Sequence, residues 1–259
     1  MLLKDKVAVV SGVGPGLGRE IALAFAREGA KVVLGARTAS FLDEVVSQIE
    51  ELGGQALAVP TNIVKVDQCE AIAAAAVATF GRIDCLVNSA FRSDVFQNFE
   101  DVDLDIWRKI YEVNVFGSLQ LTKAVLPQMK AQGGGSIVFI NSMEMRKIRP
   151  AEGGYASSKG ALMTAAQVLA KELGTYQIRV NSVVPGWMMG PNVEAYLDWM
   201  SASNDTTRDE EYAKIVAEIP LGFIPPDEDV ANAVVFFASD LSAVITGQAL
   251  DVNGGEVFH

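Results

Sequence analysis

Lys6-Val7-Ala8-Val9-Val10-Ser11-Gly12-Val13-Gly14-Pro15-Gly16-Leu17-Gly18 is the stretch on which the fold turns. Its first six residues form a short apolar, β-branched run, which reads as a strand buried on both faces. The run breaks off into glycines and resumes as a helical pattern over Leu17–Glu28. The spacing Gly12-x-x-x-Gly16-x-Gly18 departs from G-x-G-x-x-G, whose third glycine, counted from Gly12, would fall on Leu17. The physical demands are the same: a tight turn, close approach of a diphosphate to the backbone, and close helix–strand packing. The helix that follows presents its free N–H groups and positive dipole end to an anion. Gly12, Pro15, Gly16, Leu17 and Gly18 are therefore the candidate phosphate cradle.

Outward from this turn the chain keeps one rhythm. Strands are expected at Lys31–Ala36, Gln55–Pro60, Ile83–Asn88, Ser136–Asn141, Ile178–Val184 and Gln248–Val252. Helices are expected at Phe41–Leu52, Lys65–Phe80, from Tyr155 to Leu173, and at Glu228–Ser239. Leu104–Lys130 is long enough for one extended helix, kinked or broken at Pro127. Continuous apolar strands alternating with helices predict an α/β fold, a parallel sheet covered on both faces. No repeat or linker divides residues 1–259, so a single domain is expected. One segment, about 187–226, lacks a sheet strand and reads as an insertion.

Composition narrows the function. Half of the 259 residues are hydrophobic, enough for a large core, and the formal net charge is −11 without a basic run. That balance argues against nucleic acid or an anionic membrane as partner. No apolar run reaches membrane-spanning length, and charges at Lys4, Asp5 and Lys6 interrupt any leader-like core, so a soluble, cytoplasmic protein is expected. Cys69 and Cys85 have no metal-ligand spacing and read as buried thiols. The only histidine is His259, the last residue, which argues against His-dependent triads and most zinc sites. No metal is expected.

Tyr155 and Lys159 stand four apart in the alanine-rich helix and so share one face. A free phenol titrates near 10, and a neighbouring cation pulls that value down, which would make Tyr155 a general acid/base. Near the end of the second strand, a ribose-binding site for NAD would carry Asp or Glu. This chain has Ala36-Arg37-Thr38 instead, and Arg37 can meet a 2′-phosphate. NADP(H) is favoured, with NAD(H) as the alternative.

Gly12/Gly16/Gly18, Asn88-Ser89-Ala90, Asn114, Ser142, Tyr155-x-x-x-Lys159 and Pro185-Gly186 occur in this order, and together they resemble the short-chain dehydrogenase/reductase family. The resemblance runs from Lys6 to Gly255. It implies a doubly wound, Rossmann-type domain with a seven-stranded parallel sheet, a nicotinamide cofactor, and a homotetramer or homodimer. It implies that Tyr155 exchanges a proton with the substrate oxygen. Lys159 would lower the Tyr155 pKa and hold the ribose, Ser142 would polarise the carbonyl, and Asn114 would anchor a relay water. Asn88, Ser89 and Ala90 would border the adenosine ribose. Asn62 and Ile63 would flank the adenine, and Pro185, Gly186 and Met188 would back the nicotinamide. The chain departs from the family pattern at Phe91, where glycine is usual. Asn62 replaces an aspartate, Pro15 stands where a basic residue often marks NADPH preference, and Gly190 replaces a threonine that contacts carboxamide or diphosphate.

In the same comparison, 187–226 corresponds to a mobile substrate lid. Met188, Met189, Tyr196, Leu197, Trp199 and Met200, with Phe91, Glu144 and Met145, suggest a bulky apolar carbonyl or secondary alcohol as substrate. Arg92, Arg146 and Arg149 keep a charged substrate open. A 3-oxoacyl-chain ketoreductase is the alternative activity. Other classes weighed are a non-catalytic binding protein on the same fold, and an epimerase or dehydratase, which would need a longer C-terminal substrate domain.

Overall fold

Seven parallel strands lie in the order β3-β2-β1-β4-β5-β6-β7 in the computed structural model, which describes residues 1–258 and leaves His259 outside. The strands are β1 (Val7–Ser11), β2 (Lys31–Ala36), β3 (Gln55–Pro60), β4 (Cys85–Asn88), β5 (Gly135–Ile140), β6 (Ile178–Pro185) and β7 (Ala249–Val252). The helices are α1 (Leu17–Arg27), α2 (Ala39–Glu51), α3 (Val66–Phe80), α4 (Leu104–Tyr111), α5 (Ser118–Ala131), α6 (Gly153–Leu173), α7 (Pro191–Asn204), α8 (Arg208–Val216) and α9 (Asp227–Ala238). Among the described residues, no helix is long and apolar enough to cross a membrane.

Strand β1 shows why the sheet reads as continuously apolar. Successive side chains on a strand point to opposite faces. Ala8 and Val10 enter one core with α1, α2 and α9, while Val7 and Val9 enter the other with α3, α5 and α6. Both faces are thus sealed. Chain order reverses at β1, which pairs β2 on one side and β4 on the other, in register Val9↔Val33 and Val9↔Leu86. Such a switch point opens a crevice at the carboxyl ends of the strands, and ligands bind there in open α/β sheets.

Two expectations change. The long helix is not interrupted at Pro127, which lies inside α5. The irregularity falls earlier, as a π-helical segment over Glu112–Gly117 between α4 and α5. Two contacts account for its position. A side chain at Gly117 would come within 2.8 Å of Ile63, so backbone must pass close there. Asn114 is fully buried and drawn into hydrogen bonds on two neighbouring segments. A widened turn accommodates both, and such π-bulges concentrate at functional sites.

Segment 187–226 contains two helices, α7 and α8, that the sequence pattern did not reveal. They build a small core of their own from Val193, Leu197, Ile219 and Ile224, with Trp187, Met189 and Tyr212 packed against it. Thr207 caps α8 through a reciprocal capping box with Glu210.

Candidate active site

A cleft of about 680 Å³ runs along the carboxyl edge of β1, β2, β4, β5 and β6. The glycine turn forms its floor at one end. Gly12 adopts φ +78° and Gly16 φ +104°, conformations that side chains disfavour. A Cβ at Gly12 would lie 2.4 Å from the Ala90 amide nitrogen, and one at Gly18 only 2.1 Å from the Gly12 carbonyl oxygen. The glycines therefore hold β1, β4 and α1 at a separation no larger residue permits. Arg19 and Glu20 donate their N–H groups to the Gly16 carbonyl. The preceding N–H groups of Leu17 and Gly18 have no intrahelical acceptor and are available to an anion. This cradle fits a dinucleotide diphosphate.

Every catalytic and cofactor position singled out in the sequence lines this cleft, with two exceptions. Arg37 stands exposed beyond β2, next to Asn62 and Ile63 after β3. Ser89 and Ala90 follow β4, and Pro185, Gly186 and Met188 follow β6. A Cβ at Gly186 would meet Asn253 at 2.7 Å, so glycine lets this loop close against the chain's last turn.

The exceptions are Asn88 and Asn114. Asn88 is buried behind the cleft and donates through Nδ2 to Thr122 Oγ1 at 3.1 Å. Its Oδ1 is buried without a hydrogen-bond partner among the described residues. Asn114 Oδ1 accepts the Arg92 N–H at 2.7 Å, and Nδ2 reaches the Arg92 carbonyl at 3.1 Å and Ser158 Oγ at 2.9 Å. Both ends of its amide are engaged by protein, which ties the loop after β4 to α6.

At the other end of the cleft, Tyr155 and Lys159 project from the first turns of α6. Gly153 and Gly154 precede them because Trp107 lies against the backbone, where Cβ atoms would approach it at 2.6 and 2.8 Å. Asp94 completes the helix start by accepting the Tyr155 N–H at 2.9 Å. This buried carboxylate at a helix N-terminus is doubly favoured, by the hydrogen bond and by the dipole. It positions the catalytic helix, and only its place after β4 hinted at it. Ser142 leaves β5 in extended conformation, accepts the Glu144 N–H at 3.3 Å, and stands beside the Tyr155 phenol. Phe91 meets the Tyr155 ring edge-on, with centroids 6.3 Å apart.

The electrostatics differ from the expected pattern. Burial pushes the Tyr155 phenol up to about 12; the Ser142 hydroxyl works against this, while Glu144 and Glu152 add to it. Lys159 stands close to the phenol but is held elsewhere. Its Nζ donates to the Ile140 carbonyl at 2.7 Å and lies 5.5 Å from the Tyr155 ring centroid. Burial drives this ammonium down to about 7, which weakens the very charge that would act on the phenol. Glu144 is also buried and raised to about 7 by desolvation, with Arg149 Nε 3.5 Å away as its counter-charge.

The apolar segment contributes less to the cleft than its composition suggests. Trp187, Met188 and Val193 line it, whereas Leu197 and Met189 serve the segment's own core and Trp199 is exposed. Glu144 and Met145 do not reach the cleft surface, and Phe91 does. A lining residue the sequence reading missed is Asp227, the first residue of α9.

Comparison with known proteins agrees with this geometry. A family profile described as enoyl-(acyl carrier protein) reductase matches residues 12–256. The chain is 34% identical over 255 residues to 7alpha-hydroxysteroid dehydrogenase of Escherichia coli (strain K12), covering 98% of this chain and 95% of that protein. It is 34% identical over 260 residues to the 3-oxoacyl-acyl-carrier-protein reductase FabG of Thermotoga maritima, covering all of both. The structure of L-sorbose reductase from Gluconobacter frateurii, complexed with NADPH and L-sorbose, superposes with a TM-score of 0.94 at 28% identity over the full length of both chains. The chain belongs to the short-chain dehydrogenase/reductase family, and it is an oxidoreductase with a Rossmann-type fold that uses a nicotinamide cofactor.

Proposed function

We propose that the chain interconverts a carbonyl and a secondary alcohol, with NADP(H) preferred over NAD(H). The observation that carries this is the placement of Tyr155, Ser142 and Lys159 in the cleft that holds the glycine turn at its other end. When bound, the cofactor supplies or accepts the hydride. Ser142 donates a hydrogen bond to the substrate oxygen, stabilising the charge that develops there during reduction. Tyr155 donates its phenolic proton to that oxygen, or accepts one in the reverse direction. A buried phenol raised to about 12 is held in the protonated form suited to reduction. Lys159 fixes the inner end of the cleft through the Ile140 carbonyl and presents its remaining charge beside the phenol.

Phe91, Trp187 and Val193 around the open end support a bulky apolar substrate body, with 187–226 acting as its lid. Arg92, exposed at the same mouth, supports the second reading, an acyl thioester carried on an acidic partner. The test is a panel of a bulky cyclic ketone, a 3-oxoacyl thioester and a short hydrophilic ketose, each assayed with both cofactors by nicotinamide absorbance. Fastest turnover is expected on the cyclic ketone with NADPH. Turnover confined to the ketose would sink the substrate reading. In the same assay Arg37→Asp should move preference toward NADH; an unchanged ratio removes Arg37 from the cofactor argument.

Exposed Leu104, Phe116 and Val168, along the α4–α5 stretch and α6, support assembly as a homotetramer or homodimer. A monomer mass in light scattering would remove that reading. Free buried thiols at Cys69 and Cys85 are compatible with a cytoplasmic site of action, since reducing compartments preserve them. Recovery of the native protein from a secreted or membrane fraction would contradict it.

A further inference from the structure

The Asp227 carboxyl is out of keeping with its surroundings. It lines the cleft at the glycine turn, where the diphosphate cradle invites an anion, and the residue is only 8% exposed. Its position is well defined: Oδ2 lies 3.1 Å from where a Cβ on Gly16 would stand, and 2.3 Å from where one on Gly190 would stand. The carboxyl thus occupies the space that a side chain at position 190 would fill. No hydrogen bond to either of its oxygens is found among the described residues. Its oxygens are not among the polar atoms enclosed without a partner, so the largely buried carboxyl opens onto the cleft, where a second negative charge beside it is costly.

We propose that Asp227 makes cofactor binding proton-linked: the cofactor diphosphate is accepted beside Gly16 with Asp227 in its neutral, hydrogen-bond-donating form, so that binding takes up a proton. This rests on the nicotinamide-cofactor reading. Upon binding, the proton from solvent attaches to a carboxylate oxygen of Asp227, and the O–H then points to a diphosphate oxygen. No other bond changes.

The charged groups around it agree. On α1, Glu20 raises the Asp227 pKa and Arg19 lowers it, while those two are paired with each other at 2.6 Å. On α9 itself, Glu228 and Asp229 face solvent. On α7 the nearest charged residue in sequence, Glu194, is paired outward with Arg208. Desolvation is the largest influence and raises the Asp227 carboxyl to about 6 in the free protein. A bound dianion raises it further. The sign follows: below about pH 6 the proton is already present and affinity is flat, whereas above it affinity falls by about tenfold per pH unit until the pKa of the complex is reached.

The experiment is calorimetric titration of the full chain with NADH, and with ADP-ribose, from pH 6 to 8.5 in buffers of different ionisation enthalpy. Neither probe has a phosphate that titrates in this range. ADP-ribose keeps the diphosphate but lacks the carboxamide. Lys159 titrates in the same interval, so the criterion is the difference between wild type and Asp227→Asn. The proposal expects wild type to take up about one proton more than the variant with both probes, and Asp227→Asn to bind at least about tenfold more tightly at pH 8. Asp227→Ala must lose the same proton, which guards against a fold defect peculiar to one substitution. Equal proton uptake in wild type and both variants overturns the proposal. So does weaker binding of Asp227→Asn at every pH, which would make the carboxylate itself the ligand. Failure of wild type to bind either probe and also NADPH overturns the nicotinamide-cofactor reading instead, and this inference falls with it.

Discussion

Tyr155→Phe is expected to lower turnover by about 10²–10⁴-fold while leaving cofactor affinity within about twofold of wild type. The substitution removes one oxygen and little else. The ring that meets Phe91 edge-on remains, as does the surface lying 5.5 Å from the Lys159 nitrogen. Asp94 holds the helix start through the backbone N–H of residue 155, so the position of α6 is insensitive to the side chain. What disappears is the proton that must reach the substrate oxygen. Ser142 cannot replace it, because its hydroxyl stabilises charge without a base behind it to restore the proton. Steady-state rates with the best ketone from the panel, paired with fluorescence titration of NADPH, separate the two effects. A rate within tenfold of wild type would remove Tyr155 from the chemistry.

The second large effect belongs to Gly18. Replacing it by alanine puts a methyl group 2.1 Å from the Gly12 carbonyl oxygen, and 3.1 Å from the Val13 Cα. Neither neighbour is the end of a flexible side chain, so the turn itself must move. Overpacking of this kind costs about 1–3 kcal/mol. For a domain of this size that corresponds to a fall in Tm of roughly 2–12 °C. Cofactor affinity should fall by at least about 100-fold, since the displaced backbone is the phosphate cradle. Gly14→Ala is the control: nothing lies within 4 Å of its added Cβ, and its φ is not positive. Matching Tm and NADPH affinity in the two variants would show that the turn has slack the geometry denies.

These cases show where the chain was legible from sequence. A turn that only glycine can make announces itself, because Gly12 and Gly16 sit at positive φ and Gly18 has no room for a methyl. The helical pair Tyr155 and Lys159 is equally plain, since spacing alone puts both on one face. The alternation of strands and helices was readable because both faces of the sheet are sealed, so whole strands are apolar. Burial-driven chemistry was not readable. The spacing of Tyr155 and Lys159 suggests a lysine that lowers a phenol, yet desolvation of both groups wins and moves each toward neutrality. Asp227 lies 37 positions beyond Gly190 in sequence, and only the folded chain brings them together; the glycine at 190 was the sole clue. The π-helical turn was hidden because Pro127 offered a more conspicuous place for a helix to yield, while the cause lay in Ile63 and Arg92, on other segments.

The separate core under α7 and α8 has a bearing on how this chain can diverge. Val193, Leu197, Ile219 and Ile224 share no member with either core flanking the sheet. A single bridge between Met189 and Pro226 staples the two ends of the segment together at its base. Exchanging the residues between those ends as a cassette must therefore preserve only the ties to the host at Glu218–Lys147 and around Gly254 and Gly255. A homologous segment spliced in at 189 and 226 would bring its own packing, and the host would keep the interlocked strands and the glycine turn. The packing beneath α7 and α8 and the packing of the sheet can thus change separately in this architecture, provided those ties are kept.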